Sequence, residues 1–228
     1  LQKIYSFNFA LFSATFTAQV ENDIRSFIPE IKRLGQSQED YNPIRNHISI
    51  SFKSSEQSIE KRIDCISQYI LENNIDFKKS RMLIFCRTHK QCEEVAKGLS
   101  DICNKQKENN ILFRCTNHID YFHAGLDVEQ RNDVFERFKN GDLDTQLYIL
   151  CTTKAFGMGM DIPNIHYVVH LNPPSVMEDY LQEVGRAGRN HSMYESVFVE
   201  GQQIPACCLF SKEDFQNLKE LLIKSQLK

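Results

Sequence analysis

Two arginines in the C-terminal half of the chain have the residue type and spacing to do chemistry. Arg186 and Arg189 are three residues apart in the stretch QEVGRAGR, which begins at Gln182, and residues at that spacing share one face of a helical turn. A guanidinium is always charged and can bond two phosphate oxygens at once, so this pair could stabilise charge during phosphoryl transfer. An isolated stretch of this kind is more often a salt-bridging surface turn. The neighbouring stretches therefore have to decide between the two interpretations.

A second stretch, CTTKAFGMGMDIP at 151–163, directly follows an apolar run that we expect to be a buried strand. In open α/β sheets, ligands bind beyond the carboxyl ends of the strands. We expect Thr152 and Thr153 to begin a helix there, where hydroxyl and free backbone N–H groups can hold a phosphate. Gly159 permits close approach of the backbone, and Asp161 could accept hydrogen bonds from a ribose. A glycine-rich turn with an N-capping threonine would explain the same residues about as well.

Six stretches occur in the order in which superfamily 2 helicases carry their motifs, and they most closely resemble those of the RecQ-like DNA helicases. Six elements in the right order along nearly the whole chain are hard to obtain by chance. The stretches are FSAT at 12–15 (motif III), RNHI at 45–48 (the start of the second motor domain), MLIFCRT at 82–88 (motif IV), YFHAGL at 121–126, the threonine-glycine stretch at 151–163 (motif V) and QEVGRAGR at 182–189 (motif VI). After motif VI the chain departs from the RecQ-like pattern, because Asn190 and His191 open an insert that reaches about Pro205.

The resemblance implies roles for individual residues. Arg186 and Arg189 would be arginine fingers that face ATP held by a first motor domain, with Gln182 beside them. The nucleotide would be bordered by Gly159 and Asp161. The backbone of the nucleic-acid strand along which the motor moves would be contacted by Arg87, Thr88, Thr152 and Thr153. Coupling between the two domains would involve Ser13, Ala14 and Thr15. His123, in contrast, is expected to be a buried, hydrogen-bonded structural histidine.

The resemblance also implies ATP and Mg²⁺ as cofactors, yet this sequence lacks the residues that would hold them. No glycine is followed by lysine, so the chain has no G-x-x-x-x-G-K-[ST] phosphate loop, and no Asp-Glu pair forms a magnesium-binding box. In the family these elements belong to the first motor domain, so ATP and Mg²⁺ are expected to be held mainly there. We therefore predict that this chain alone neither binds ATP tightly nor hydrolyses it.

The elements that must position these residues follow an α/β pattern, in which short apolar runs alternate with amphipathic stretches. We predict a mostly parallel sheet flanked by helices on both faces, and the resemblance makes this a RecA-like fold of the P-loop NTPase type. Strands are predicted at 9–12, 47–52, 81–85, 120–123, 146–150, 167–170 and 206–210. Helices are predicted from the spacing of apolar residues at 59–70, 95–102 and 134–138, with Asp127 as an N-cap, and in a closing helix that buries Phe215, Leu218 and Leu222.

The polar segment at 35–43 carries Gly, Ser, Asn and Pro and predicts a linker. The residues before it amount to about one strand and one helix, which is too little to fold alone. We therefore expect residues 1–40 to be the C-terminal remnant of a first motor domain plus the linker. Residues 41–228 are expected to form the second motor domain.

Composition excludes several classes of protein. An apolar content of 41% can bury a core and excludes disorder over most of the chain, and no apolar run approaches the roughly 20 residues of a membrane span. The N-terminus lacks a signal-peptide pattern, so we expect an intracellular protein without a membrane partner. A net charge of −3 excludes binding to nucleic acid by bulk positive charge but allows a local basic track. The eight cysteines have no C-x-x-C spacing, so free core thiols and no metal site are expected.

We therefore predict part of an ATP-dependent DNA helicase that moves 3′ to 5′ on single-stranded DNA or tailed duplex DNA, working with a first RecA-like domain. An RNA helicase of the same superfamily is one alternative, although Gln182 and Glu183 stand where RNA-directed relatives typically have His-Arg. The other alternative is a non-catalytic nucleic-acid-binding module that lacks the ATPase half.

Overall fold

The computed structural model describes residues 18–32, 47–77, 80–105, 118–141, 145–154, 156, 162, 165–189 and 202–216. The chain divides into two compact units, residues 1–44 and residues 45–228. The described part of the first unit contains one helix, α1 (Ala18–Phe27), in which Arg25 pairs with Glu21 one turn earlier at 2.7 Å. The strand predicted at 9–12 lies outside the described residues.

The second unit is built on one sheet of six parallel strands. The strands are β1 (Ile48–Ser54), β2 (Arg81–Phe85), β3 (Ile119–Phe122), β4 (Ile149–Thr152), β5 (Ile165–His170) and β6 (Ile204–Phe210), in the order β1-β6-β5-β2-β4-β3. Every residue of β2, β4 and β5 is buried. Because successive side chains of a strand point to opposite faces, both faces of the sheet are covered there. The predicted parallel α/β fold is confirmed.

The helices of this unit are α2 (Ile59–Glu72), α3 (His89–Lys105), α4 (Val128–Asn140) and α5 (Met177–Val184). Their apolar residues recur at helical spacing and form the buried faces, such as Ile63, Ile66 and Ile70 on α2. Asp127 begins α4 as predicted, because its carboxylate accepts from the Gln130 backbone N–H at 2.8 Å while the Gln130 side chain bonds back to the Asp127 N–H.

The described residues after β6 form only one helical turn, 212–216. The prediction that the closing helix buries Phe215 is wrong, since this side chain is 58% exposed. Its ring meets the Phe210 ring edge-on at 5.7 Å, so a local contact replaces burial in the core. The positions predicted at Leu218 and Leu222 lie outside the described residues.

The parallel arrangement brings the carboxyl ends of all six strands to one edge of the sheet. Backbone hydrogen bonds beyond the strands hold the connecting loops in place along this edge. The Cys86 N–H donates to Thr152 O at 2.7 Å, the Leu171 N–H to Phe85 O at 2.9 Å, and the Ser55 N–H to Phe210 O at 2.8 Å. Motifs IV and V and the residues after β5 and β6 therefore start from neighbouring points.

Candidate functional site

The arginines of motif VI lie at the end of α5, where the helix gives way to a turn over residues 185–188. Helical hydrogen bonds continue into the turn, from the Arg186 N–H to Glu183 O at 3.2 Å and from the Ala187 N–H to Val184 O at 3.1 Å. Gly188 then adopts a φ of +62°, a backbone conformation that favours glycine, and its N–H donates to Ile165 O at 2.9 Å. The turn is thus fastened to the start of β5.

Arg186 and Arg189 line one narrow cleft, too tight to admit a water molecule, together with Phe156, Ile162 and Ile165. Arg186 is partly buried and Arg189 is exposed. Burial lowers the pKa of the Arg186 guanidinium, the charge of Arg189 lowers it further, and Glu183 opposes both effects. A guanidinium nevertheless stays protonated in proteins, so the cleft presents two positive charges beside an apolar wall. The predicted juxtaposition of the two arginines is present.

Gln182 is exposed on α5, and the residue after it fixes the helix to the sheet. The Glu183 carboxylate lies 2.9 Å from His170 Nε2, at the end of β5. The His170 ring in turn stacks on Phe85 with centroids 5.2 Å apart and meets the Tyr180 ring at 4.8 Å. The helix that carries motif VI is therefore fastened to the end of the central strand β5.

Motif IV follows β2 at the carboxyl edge of the sheet. Arg87 is 30% exposed, and its guanidinium donates to Pro173 O at 2.8 Å and pairs with Asp214 Oδ1 at 3.3 Å. Thr88 is exposed, and its hydroxyl accepts from the Gln91 N–H at 3.2 Å, at the start of α3. Both side chains therefore lie at the surface of the edge while the fold restrains them.

Motif V follows β4 at the same edge. The Thr152 hydroxyl is fully buried and donates to Phe122 O at 2.9 Å, so it joins the ends of β4 and β3. Thr153 is 8% exposed. Thr152 belongs to β4 and not to the helix that was expected to begin at these threonines, and most residues of that helix lie outside the described part of the chain. The Phe156 N–H donates to Thr153 O at 3.0 Å. This arrangement uses the Thr152 hydroxyl inside the fold and leaves Thr153 nearer the surface.

Several predicted site residues lie outside the described part of the chain. They are Gly159 and Asp161 of motif V, and Ser13, Ala14 and Thr15 of motif III.

His123, at the carboxyl end of β3, is 4% exposed. Its Nδ1 accepts from the Gly125 N–H at 3.2 Å, so the ring proton lies on Nε2, which is 3.1 Å from Glu93. The ring stacks between His89, at 4.3 Å, and Tyr121, at 5.4 Å. The prediction that His123 is buried and hydrogen-bonded is confirmed, and its structural role stays a prediction.

The sequence motifs do not include a buried ion pair between Arg62 of α2 and Asp214 of the last helical turn. Both side chains are completely buried, and Arg62 Nη2 lies 2.5 Å from Asp214 Oδ2. Two sequence signals point to it. Arg62 falls inside the apolar stripe of α2, where a charge needs a partner, and Ser211 followed three residues later by Asp214 has capping-box spacing.

A cavity of about 750 Å³ lies at the carboxyl ends of β1 and β6. It is lined by Ser54, Lys61, Ser211 and their neighbours, and among the described residues none of the predicted site residues lines it. The part of the chain that the structure describes also brings together no group of three or more His, Cys, Asp or Glu side chains that could hold a metal ion. No helix in that part is long and apolar enough to cross a membrane.

Residues 61–191 match the model of the helicase conserved C-terminal domain, and the chain belongs to this family. Its curated relatives include RecQ-type DNA helicases, as the motifs predicted. The chain is 31% identical to the probable ATP-dependent DNA helicase RecS of Bacillus subtilis over 146 residues, which is 64% of this chain and 25% of that protein. It is 27% identical to the ATP-dependent DNA helicase Q-like 2 of Arabidopsis thaliana over 95% of this chain and 28% of that protein. The chain thus spans about a quarter of the length of these relatives.

Similar solved structures agree with the fold. Saccharomyces cerevisiae Dbp5 bound to RNA and ADP BeF3 matches 93% of this chain and 47% of its own, with a TM-score of 0.60 at 18% identity. The Escherichia coli DEAD-box protein SrmB bound to regulator of ribonuclease activity A matches 75% of this chain and 82% of its own, with a TM-score of 0.51 at 18% identity. At this identity the likeness establishes the RecA-like fold alone.

Proposed function

We propose that residues 41–228 form the second motor domain of an ATP-dependent, RecQ-like DNA helicase, and that residues 1–40 are the end of the first motor domain plus the linker. The observation that carries this proposal is the cleft at the end of α5, where Arg186 and Arg189 lie side by side. Two permanent positive charges beside an apolar wall suit the developing negative charge of a transferred phosphoryl group. In this proposal the arginines complete an ATP site whose other half is a first motor domain.

The same cleft supports a division of the ATP-binding groups between the two motor domains. The polar side chains that line it among the described residues are guanidiniums, which fit the phosphates of ATP, whereas Mg²⁺ needs oxygen ligands such as carboxylates. ATP and Mg²⁺ would therefore be held mainly by the first domain, which would carry the phosphate loop and the magnesium-binding acid. Arg186 and Arg189 would bind and orient the terminal phosphate, with Gln182 beside them on α5. Gly159 and Asp161 would border the nucleotide.

The carboxyl edge of the sheet is the proposed track for the nucleic acid. Arg87, Thr88 and Thr153 follow adjacent strands β2 and β4 at this edge, and such groups hold phosphates without reading sequence. Thr152 would contribute through its backbone, because its hydroxyl is bonded to Phe122 O. We propose single-stranded DNA or tailed duplex DNA as the substrate, inside the cell. DNA is favoured over RNA because the curated relatives are named as DNA helicases, and because motif VI begins with Gln182 and Glu183.

Replacement of the arginines tests this function in an enzyme that carries this domain together with a first motor domain. Arg186→Ala and Arg189→Ala should leave ATP binding nearly unchanged and lower DNA-stimulated turnover. Arginine fingers in related systems are worth on the order of 10³–10⁵ in rate, and a tenfold loss would already support the proposal. Arg131→Ala is the matched control, because Arg131 makes only a 3.4 Å contact to the Asp127 carbonyl oxygen on α4. Full activity in both motif VI variants would assign these arginines to an ordinary surface turn.

A further inference from the structure

Beneath motif IV lies a buried cluster, the Asp214 cluster, formed by Arg62, Arg87, Asn172, Ser211 and Asp214. The Asp214 carboxylate is completely buried and accepts from Arg62 at 2.5 Å, from the Ser211 N–H at 2.9 Å and hydroxyl at 3.1 Å, and from Asn172 at 3.3 Å. Arg87 pairs with its other oxygen at 3.3 Å. One carboxylate thus joins α2, the loops after β2 and β5, and the turn after β6.

The charges of this cluster do not cancel. Two guanidiniums share one carboxylate, so one positive charge is left over. Arg62 is fully buried, and its remaining nitrogens donate to Leu171 O and Glu56 O, so Arg62 and Asp214 form a closed pair. The surplus charge therefore belongs to Arg87, which is 30% exposed at the carboxyl edge.

Arg87 is held but not saturated. Its guanidinium has five N–H donors, and among the described residues it makes two contacts, to Pro173 O and to Asp214. Its side chain is 30% exposed beside the exposed Thr88 and the start of α3, so N–H donors remain for a further partner. A fixed guanidinium with free donors recognises a phosphate through two parallel bonds, whereas a freely rotating one first has to lose conformational entropy.

We infer that Asp214 is a positioning residue for nucleic-acid binding, which holds Arg87 so that its free N–H groups meet a phosphate of the bound strand. The inference rests on the proposed function, because it assumes that the carboxyl edge is the track. A purely structural ion pair would need one arginine, and Arg62 already supplies it. The second arginine brings a charge that the fold leaves uncompensated and that a phosphodiester would neutralise.

The test measures binding of the 228-residue chain to a fluorescent thymidine oligonucleotide by anisotropy, at several salt concentrations. Asp214→Asn removes a negative charge, so a general electrostatic effect would strengthen binding. Loss of positioning predicts the opposite, about tenfold weaker binding. Glu213→Gln is the matched control, because this neighbouring carboxylate is exposed and its removal changes the net charge equally. We expect that control to bind as tightly as the wild type or slightly more tightly.

Arg87→Lys keeps the inference falsifiable even if Asp214→Asn fails to fold. Lysine keeps the charge, but its three N–H groups cannot hold Pro173 O, Asp214 and two phosphate oxygens at once, so this variant should fold normally and bind about tenfold more weakly. Where Asp214→Asn folds, Asp214→Glu should recover part of the affinity that Asp214→Asn loses. Wild-type affinity in Arg87→Lys, or unchanged or tighter binding in a folded Asp214→Asn, would overturn the inference alone. A wild-type chain that does not bind the oligonucleotide at low salt would overturn the proposed strand contact as well.

Discussion

Arginine is used in three different ways in this domain, and its surroundings distinguish them. Arg62 is fully buried and forms an ion pair with Asp214. Arg87 is partly exposed and pairs with the same carboxylate, and Arg186 with Arg189 lines a cleft. The motifs predicted Arg87, Arg186 and Arg189 as site residues, because their spacing along a helix or after a strand is visible in the sequence. Arg62 and Asp214 are 152 residues apart. The apolar stripe around Arg62 predicts that this charge needs a partner, but the sequence does not show that Asp214 is that partner.

Thr152 illustrates the limit of motif reasoning at this scale. Thr152 was expected to follow its strand and to hold a phosphate through its hydroxyl, but it is the last residue of β4. The hydroxyl instead donates to Phe122 O, because β3 and β4 are neighbours and the buried end of a strand needs its polar groups bonded. Sequence order cannot predict which strand lies next to which.

The buried cysteines give a prediction at the residue scale. Burial raises the pKa of the Cys208 thiol to about 12 and that of Cys151 well above its ordinary value, while Cys65 is only half-buried. Since the thiolate is the reactive form, the buried thiols should react with an alkylating reagent at pH 8 more than about 100-fold more slowly than Cys65. Mass spectrometry of the labelled peptides measures each site separately. Rapid labelling of Cys151 in the folded chain would contradict the core described here.

At the scale of elements, periodicity predicted most of the fold. The continuous apolar runs of β2, β4 and β5 indicated strands covered on both faces, and the helical spacing of Ile63, Ile66 and Ile70 indicated the buried face of α2. The burial of Phe215 was wrongly predicted, because its ring packs edge-on against Phe210 and stays exposed instead of entering the core. Burial depends on which element lies above a residue, and periodicity does not contain that information.

Gly188 should be the most sensitive position of the motif VI turn. Its φ is +62°, and a Cβ there would overlap Ile204 and approach His47. Gly188→Ala should therefore lower the free energy of unfolding by about 1–3 kcal/mol and displace Arg189 from the cleft. Urea unfolding followed by circular dichroism measures the first effect.

Gly125→Ala is the control for that substitution. A Cβ at Gly125 meets mainly the His89 side chain, which is exposed and can move aside. It should cost less than about 1 kcal/mol. Equal costs for the two variants would mean that the positive φ does not constrain the turn.

At the scale of the whole molecule, the proposed function makes the chain one part of a larger catalytic arrangement. It spans about a quarter of the length of its curated relatives, and its sequence contains neither a phosphate loop nor a magnesium-binding acid box. Among the described residues, the polar groups that line the cleft at α5 are cationic, so in the proposed function a second surface brings the phosphates. The resemblance to helicases implies this division, which stays a prediction.

The isolated chain should therefore be inactive as an ATPase. The purified 228-residue chain should neither bind ATP tightly nor release phosphate from it, with or without single-stranded DNA, because the groups that hold the phosphates are missing from its sequence. A phosphate-release assay on the isolated chain measures this. DNA-stimulated hydrolysis above background would contradict the division of the site between two domains.

The most direct test of the central claim is unwinding by an enzyme that joins this domain to a first motor domain. Duplexes with a 3′ single-stranded DNA tail, a 5′ DNA tail or an RNA tail are compared in the presence of ATP and Mg²⁺. A RecQ-like motor should unwind the 3′-tailed DNA, indifferently to tail sequence, because its track contacts the backbone. Unwinding only of 5′-tailed DNA or only of RNA would assign the chain to another branch of the superfamily, and DNA binding without any ATP hydrolysis would make it a non-catalytic module.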